Sequence, residues 1–437
     1  MHANGPQRIV NIRRDYNGWV ADETREDYAL RYTPKSFRKW SEGRIANTAL
    51  GTLSFLVLEA IGATLVLNYG FTNSLWAILA MSLVIFLTGL PISYYAARHG
   101  IDMDLLTRAA GFGYIGSTIT SLIYASFTFL FFALEAAVMA VALEMYFAIP
   151  LGLAYVASAL VVIPLAIYGI TRISRLQAWT QPLWLVLLLV PYVAVLLAHP
   201  QLPGELASFV GKQGDNGFDL LSFGLACTLV LALVTQIGEQ VDYLRFLPAQ
   251  TAANRGRWWA ALLLAGPGWI VPGALKMLGG ALLAVLALQH GVGIEHADEP
   301  AQLYRVAWEQ VFADPRWAMA AMVLLVVVSQ VKINVTNAYA GSLAWSNFFA
   351  RVTHSHPGRV VWLVFNVGIA LMLMELGVVE TIEQVLGLYA NVAIAWIGAM
   401  VADLVISKPL GLSPRLIEFK RAHLHDINPV GVGAMLF

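Results

Sequence analysis

The chain has 437 residues, of which 58% are hydrophobic and 12% charged, and its 27 Lys and Arg are balanced by 27 Asp and Glu. A mean hydropathy of +0.67 lies far outside the soluble globular range and excludes a water-soluble domain, and the zero net charge gives no support for nucleic-acid binding. The single cysteine, Cys227, excludes an intrachain disulfide.

In chain order, residues 1–45 read as a charged tail, and no short apolar stretch with a small-residue cleavage site precedes residue 46, so no signal peptide is expected. A membrane-spanning helix needs about 20 mostly apolar residues. By that measure ten spans are predicted, at 46–68, 72–97, 112–146, 150–170, 177–198, 218–243, 258–288, 317–345, 358–378 and 384–407. An eleventh begins at "NPVGVGAMLF" and is cut by the chain end, so residues 46–437 are read as one transmembrane domain in a lipid bilayer. The loop stretch "AQLYRVAWEQVF", 301–312, has helical apolar spacing and is expected to lie on the outer surface.

Orientation follows from the basic residues. With the N-terminus cytoplasmic, the tail and cytoplasmic loops hold 22 Lys and Arg, and the outside loops hold only Lys212, Arg305 and Arg316. That positive-inside bias predicts a multi-pass protein of the cell (inner) membrane. The other two, Lys276 and Lys332, fall inside predicted spans.

The spans also carry Glu59, Glu135, Glu239, Asp242 and Asp403. Each buried charge costs ~3 kcal/mol or more at the bilayer centre unless paired or wetted, so such a group marks a structural ion pair, a snorkelling side chain or a substrate or ion pathway. Asp242, Lys276 and Asp403 lie near span ends, where a structural reading suffices; Glu59, Glu135 and Lys332 are too deep to snorkel easily. Glu59 and Glu239 each lie close to a glycine, in the first span of each five-span half. Paired glycine interruptions of this kind point to broken helices, expected near Gly62 and Gly238, in an inverted-repeat transporter.

Several motifs fail on context. "GFGYIG" (111–116) has dinucleotide-loop spacing but opens a membrane span, and "HSH" (354–356) and "HLHD" (423–426) are lone loop clusters. No nucleophile elbow, P-loop or zinc-protease helix is present, so neither an enzyme nor a cofactor is expected.

Four stretches in order resemble the nucleobase–cation symporter-1 family, the purine–cytosine permease-like transporters. They are "LLTRAAGFGYIGSTITSLIYASFTFLFFALE" for helix 3, "VTQIGEQVDYLRF" for helix 6, "INVTNAYAGSLAWSN" for helix 8 and "WIGAMVADLVISK" for helix 10. The resemblance implies an all-α, LeuT-like five-plus-five inverted-repeat bundle, truncated after about helix 10. It further implies uptake of a small-molecule nitrogen heterocycle by alternating access. It places Phe131 where a ring stacks on the substrate, Glu135 where an amide meets the ring edge, and Gln236, Asn334 and Asn337 around it. A carboxylate at 135 favours a substrate with N–H donors or positive charge. Sodium-coupled members carry two hydroxyls just before the helix 8 asparagine; here Lys332 and Ile333 stand there. Sodium independence is therefore expected, with protons or no ion as the coupling partner, Lys332 as the stand-in cation and Glu59 on helix 1 as its counter-charge, ahead of Glu135. Two other readings stay open: a transporter-like sensory input domain of a membrane histidine kinase, with a C-terminal signalling domain beyond this chain, and an amino-acid or amine transporter on the same fold.

Overall fold

The computed structural model describes residues 15–16, 25–26, 28–212, 214, 217–377, 382–418 and 420–436; much of the expected tail 1–45 and the end of the ninth expected span lie outside them. The Ser41 hydroxyl accepts the Arg44 N–H and caps α1 (Glu42–Gly51). A 3-10 turn, Thr52–Ser54, follows, and Phe55 then turns extended (φ −60°, ψ 134°), which ends the helical ladder. The chain resumes as α2 (Val57–His99), 43 residues that hold the rest of the first expected span and all of the second. Gly70, at φ 72° and ψ 169°, separates the two with a backbone conformation that glycine alone adopts without strain.

The break in the first span is therefore at Phe55, about two turns before the expected Gly62. Gly62 has a packing role instead. A Cβ there would fall 1.7 Å from the Met277 carbonyl oxygen, and one at Gly280 would fall 2.0 Å from that of Glu59. These two glycines let two helix backbones cross in direct contact.

Onward, α3 (Ser117–Phe147) is followed by the short apolar α4 (Leu151–Ala166) and by α5 (Ile170–Ala198). In α6 (Leu220–Leu244) the helix tightens to a 3-10 turn over Ala232–Gln236 and recovers its α form at Ile237. This irregularity also precedes its expected glycine: the missing Cβ of Gly238 makes room for the Tyr124 ring. The seventh expected span is two helices, α7 (Arg255–Ala265) and α8 (Ile270–Gln289), parted at Gly266–Pro267. The amphipathic stretch forms α9 (Pro300–Glu309), docked by Leu303, Tyr304 and Val306, ahead of α10 (Pro315–Val352), α11 (Arg359–Glu375), α12 (Val385–Ser407) and the short α13 (Pro429–Leu436).

Among the described residues, seven helices are long and apolar enough to cross a membrane, making this a multi-pass membrane protein. Three of the ten expected spans are absent from that set because α2 contains two of them and because α4 and α11 are short. Helix α3 packs along α10, and α2 along α8. The first pair joins the third and eighth spans, corresponding members of two five-span halves, while α8 meets the first-span part of α2 at Glu59 and Gly62.

At the basic end of the bundle the stretch after residue 28 lies across the helix ends. Arg38 donates to the carbonyls of Ala97 and Leu247, and buried Arg245 donates to the Tyr339 hydroxyl (2.6 Å), to Asp102 (3.4 Å) and to the Tyr28 carbonyl (3.4 Å). The glycines of "GFGYIG" serve a turn there: Gly113 (φ 81°) lies against the backbone of His425 and Asn428.

The backbone crossing gives a direct test. Gly62→Ala should lower the thermal midpoint by at least the ~1–3 kcal/mol of core overpacking. Gly224→Ala, on α6 with open space around its Cβ, should leave it unchanged or raise it. Equal effects of the two substitutions in a melting experiment would refute the crossing.

Candidate functional site

A helix that stops inside a membrane leaves carbonyls on one side of the break and N–H groups on the other without partners. Both ends of this break are met by charged side chains. Lys276, on α8, donates from Nζ to the carbonyls of Leu53 (2.8 Å) and Phe55. Glu135, on α3, accepts the Leu56 N–H at 3.2 Å through Oε2. An ammonium thus faces the partially negative end of the first half and a carboxylate the partially positive start of the second, as the helix dipole requires.

Glu59, in the first turn of α2, completes the group. Its Oε2 lies 3.3 Å from Lys276 Nζ, and its Oε1 accepts the Tyr304 hydroxyl at 2.8 Å. Tyr304 belongs to α9, which does not lie on the outer surface as expected: none of its ten residues is exposed and seven are buried, so it packs into the core and touches the carboxylate of the broken span. The Phe55 and Trp184 rings flank Lys276 with centroids 5.6 and 5.8 Å from Nζ, a cation–π arrangement.

On the other side of α1 and its 3-10 turn, α6 presents polar groups. Gln236 ends the 3-10 segment and donates to Glu239 Oε2 (2.9 Å), which also accepts Thr336 Oγ1 (3.1 Å) from α10. Gln240 donates to Thr52 Oγ1 (3.0 Å), and Ser54 donates to the Ser329 carbonyl (2.9 Å). Phe131, one turn before Glu135 on α3, is buried with its ring 4.4 Å from that of Phe127, in the same apolar cluster as Phe55, Leu233 and Tyr389.

The structure places the remaining expected residues as follows. Asn334 donates to the Phe132 carbonyl (3.4 Å), which links α10 to α3, and accepts from Asn337 (3.1 Å) on its own helix. Lys332 does not meet Glu59. Its Nζ reaches α5, bonding Thr180 Oγ1 (3.0 Å), Gln181 Oε1 (3.0 Å) and the Gln177 carbonyl (3.4 Å). The reason is helical register. On the α5 side of α10 the Lys332 carbonyl accepts Gln177 Nε2 and the Ser329 hydroxyl, about one turn earlier, accepts Trp184 Nε1, so Lys332 shares that face, while Thr336 turns to Glu239 of α6. The cation beside Glu59 is Lys276. In sequence it reads as a span-end lysine because α7 and α8 merge into one hydropathy peak; the "AGPGW" at 265–269 that parts them is the signal that could have located it.

Buried polar groups without partners lie on the helices that pack against the first span, Glu135 among them at the break itself. Glu135 Oε1, Glu239 Oε1, Gln240 Oε1, Gln177 Oε1 and Asn337 Oδ1 have no hydrogen-bond partner among the described residues, and neither does either end of the Gln330 amide. Glu135, Glu239, Gln240, Gln177 and Gln330 are all 0% exposed. Unpaired groups in so dry a place are costly and suit a ligand that brings donors.

No protein-family model and no curated protein sequence matches the chain. Solved structures do. Mhp1, a nucleobase-cation-symport-1 family transporter in a closed conformation with bromovinylhydantoin bound, aligns with a TM-score of 0.66 at 18% identity over 94% of this chain and 93% of its own. A Na+-coupled sialic acid symporter, substrate-bound and outward-open, aligns with a TM-score of 0.61 at 11% identity over 96% and 92%. A manganese transporter of Eremococcus coleocola aligns with 0.53 at 16% over 85% and 81%. These likenesses establish the fold, an all-α integral membrane LeuT-like bundle of five plus five helices in inverted repeats.

Tyr304→Phe keeps the ring and removes the donor, leaving Glu59 Oε1 bare. The variant should lose about 1–3 kcal/mol of stability, the penalty for an unsatisfied buried acceptor, seen as a lower melting midpoint than the parent protein. An unchanged midpoint would mean that the hydroxyl bond contributes nothing.

Proposed function

We propose that the chain is a secondary transporter of a nucleobase-like nitrogen heterocycle, related to the nucleobase–cation symporter-1 family and working by alternating access in the cell membrane with its N-terminus cytoplasmic. Residues from 46 onward make up the transport domain, and residues 1–45 are its tail. Coupling is to protons or absent, and sodium is not required. The observation that carries the reading is the acceptor-rich, solvent-free site around the break at Phe55, in a fold shared with a transporter that binds a hydantoin.

In this reading Phe131 supplies an aromatic face and Glu135 the contact to a ring N–H, while Gln236, Asn334 and Asn337 set the polar surroundings of the ring from α6 and α10. Nucleobases and hydantoins present N–H donors along their edges, which matches the surplus of acceptors. The same surplus suits organic amines, so an amine transporter is the second reading.

The test is binding to the purified protein, and uptake in proteoliposomes, across a panel of purines, pyrimidines, hydantoins and organic amines. A heterocycle from the first three classes should bind. Phe131→Ala should weaken that binding by ~1–3 kcal/mol, the range for base–aromatic stacking, and Glu135→Gln should reorder the panel. Binding confined to amines favours the second reading, and a panel response unaltered in both variants removes Phe131 and Glu135 from the site.

A further inference from the structure

We propose that Lys276 fills a monovalent-cation site built by the broken first span, so that the protein holds its own ammonium where a dissolved sodium ion would otherwise bind. This goes beyond the substrate reading and does not depend on it. The donor set carries the argument. The atoms around Nζ are two backbone carbonyl oxygens, from Leu53 and Phe55, and a carboxylate oxygen of Glu59. Carbonyls freed by a helix break, together with a carboxylate, form the oxygen-only set that hard cations take. The carbonyls also sit at the partially negative end of a helix segment.

The lysine is aimed rather than incidental. Lys276 precedes Gly280 by four residues, so both lie on one face of α8. On that face Gly280 meets the Glu59 backbone, and beside it Met277 meets Gly62. A backbone contact this close fixes the start of the side chain against α2, and the Phe55 and Trp184 rings close the sides of the space its ammonium occupies. Lys332 differs in its partners: they belong to α5, away from the break, and include no carboxylate.

The test is to vacate the site. Lys276→Ala removes stem and charge and leaves the three oxygens facing an opening large enough for a small ion with its water. Lys276→Met removes the charge and keeps the volume. Full-length protein and both variants are purified in sodium buffer, and their melting is followed as sodium replaces choline at constant ionic strength. The parent protein should show no dependence on sodium. Lys276→Ala should show a midpoint that climbs with the logarithm of sodium concentration, as for a ligand that binds only the folded state. That rise should vanish in Lys276→Met and in Lys276→Ala combined with Glu59→Gln. A sodium-dependent midpoint in the parent protein overturns the proposal, because it reveals a separate metal site. So does a flat response in Lys276→Ala, and so does failure to recover folded Lys276→Ala from sodium buffer, since sodium is expected to replace the missing charge. No substrate enters the measurement, so its failure leaves the heterocycle reading standing, and a silent substrate panel leaves this inference standing.

Discussion

A polypeptide in a bilayer has to satisfy every backbone polar group from within, and a bare carbonyl or N–H in hydrocarbon costs several kcal/mol. The interruption at Phe55 exposes such groups on both sides. Three ionisable side chains gather there: Glu135 and Lys276 bind the backbone, and Glu59 balances the ammonium. Removing one would leave another unpaired, which is why the group is best regarded as one unit with the break. The position of α8 follows from it, because Lys276 reaches the carbonyls only if α8 crosses α2 backbone to backbone, and two glycines permit that crossing.

The remaining helices frame this unit. Helices α3 and α10 pack along their length and bring Glu135 and Ser329 to the broken span. Asn334, braced by Asn337 on its own helix, adds one hydrogen bond between the two, to the Phe132 carbonyl. On the opposite flank α6 contributes its own irregular turn, and just beyond it Gln240 reaches Thr52 and Glu239 meets Thr336 of α10. At the basic end Arg245 ties Tyr28, Asp102 and Tyr339 together, so that end is closed by buried hydrogen bonds between four segments.

Much of this was legible in the sequence. Ten apolar segments, segregated charge and deep carboxylates at 59 and 135 defined a broken-helix membrane bundle, because hydrophobic length and the cost of buried charge are local properties. The site of the break was read from glycine, yet "GTLSF" carries it. There Thr52 bonds the Ala49 carbonyl and Ser54 the Ser329 carbonyl, hydroxyls taking up backbone acceptors as a helix ends. The partners of the two lysines were not legible. Pairing between residues more than 150 positions apart depends on which face of a helix each side chain takes, and a one-residue difference in register turns a side chain by about 100°. Trp184 illustrates the difficulty: one ring lies near both ammonium groups, 5.8 Å from Lys276 and 6.0 Å from Lys332, and nothing in its neighbourhood of Leu and Val announces that.

A lysine beside the break has an electrical consequence. A dissolved ion that crosses the membrane collects about 2.3 kcal/mol per charge for every 100 mV of potential, and that work can drive a cargo uphill. An ammonium on a four-carbon stem moves only as far as its stem allows, so at fixed protonation the protein carries the same charge when loaded as when empty. In the transporter proposed above, voltage would then act on the cargo alone: a neutral ring would equilibrate without regard to membrane potential, and a cationic one would be drawn toward the negative side.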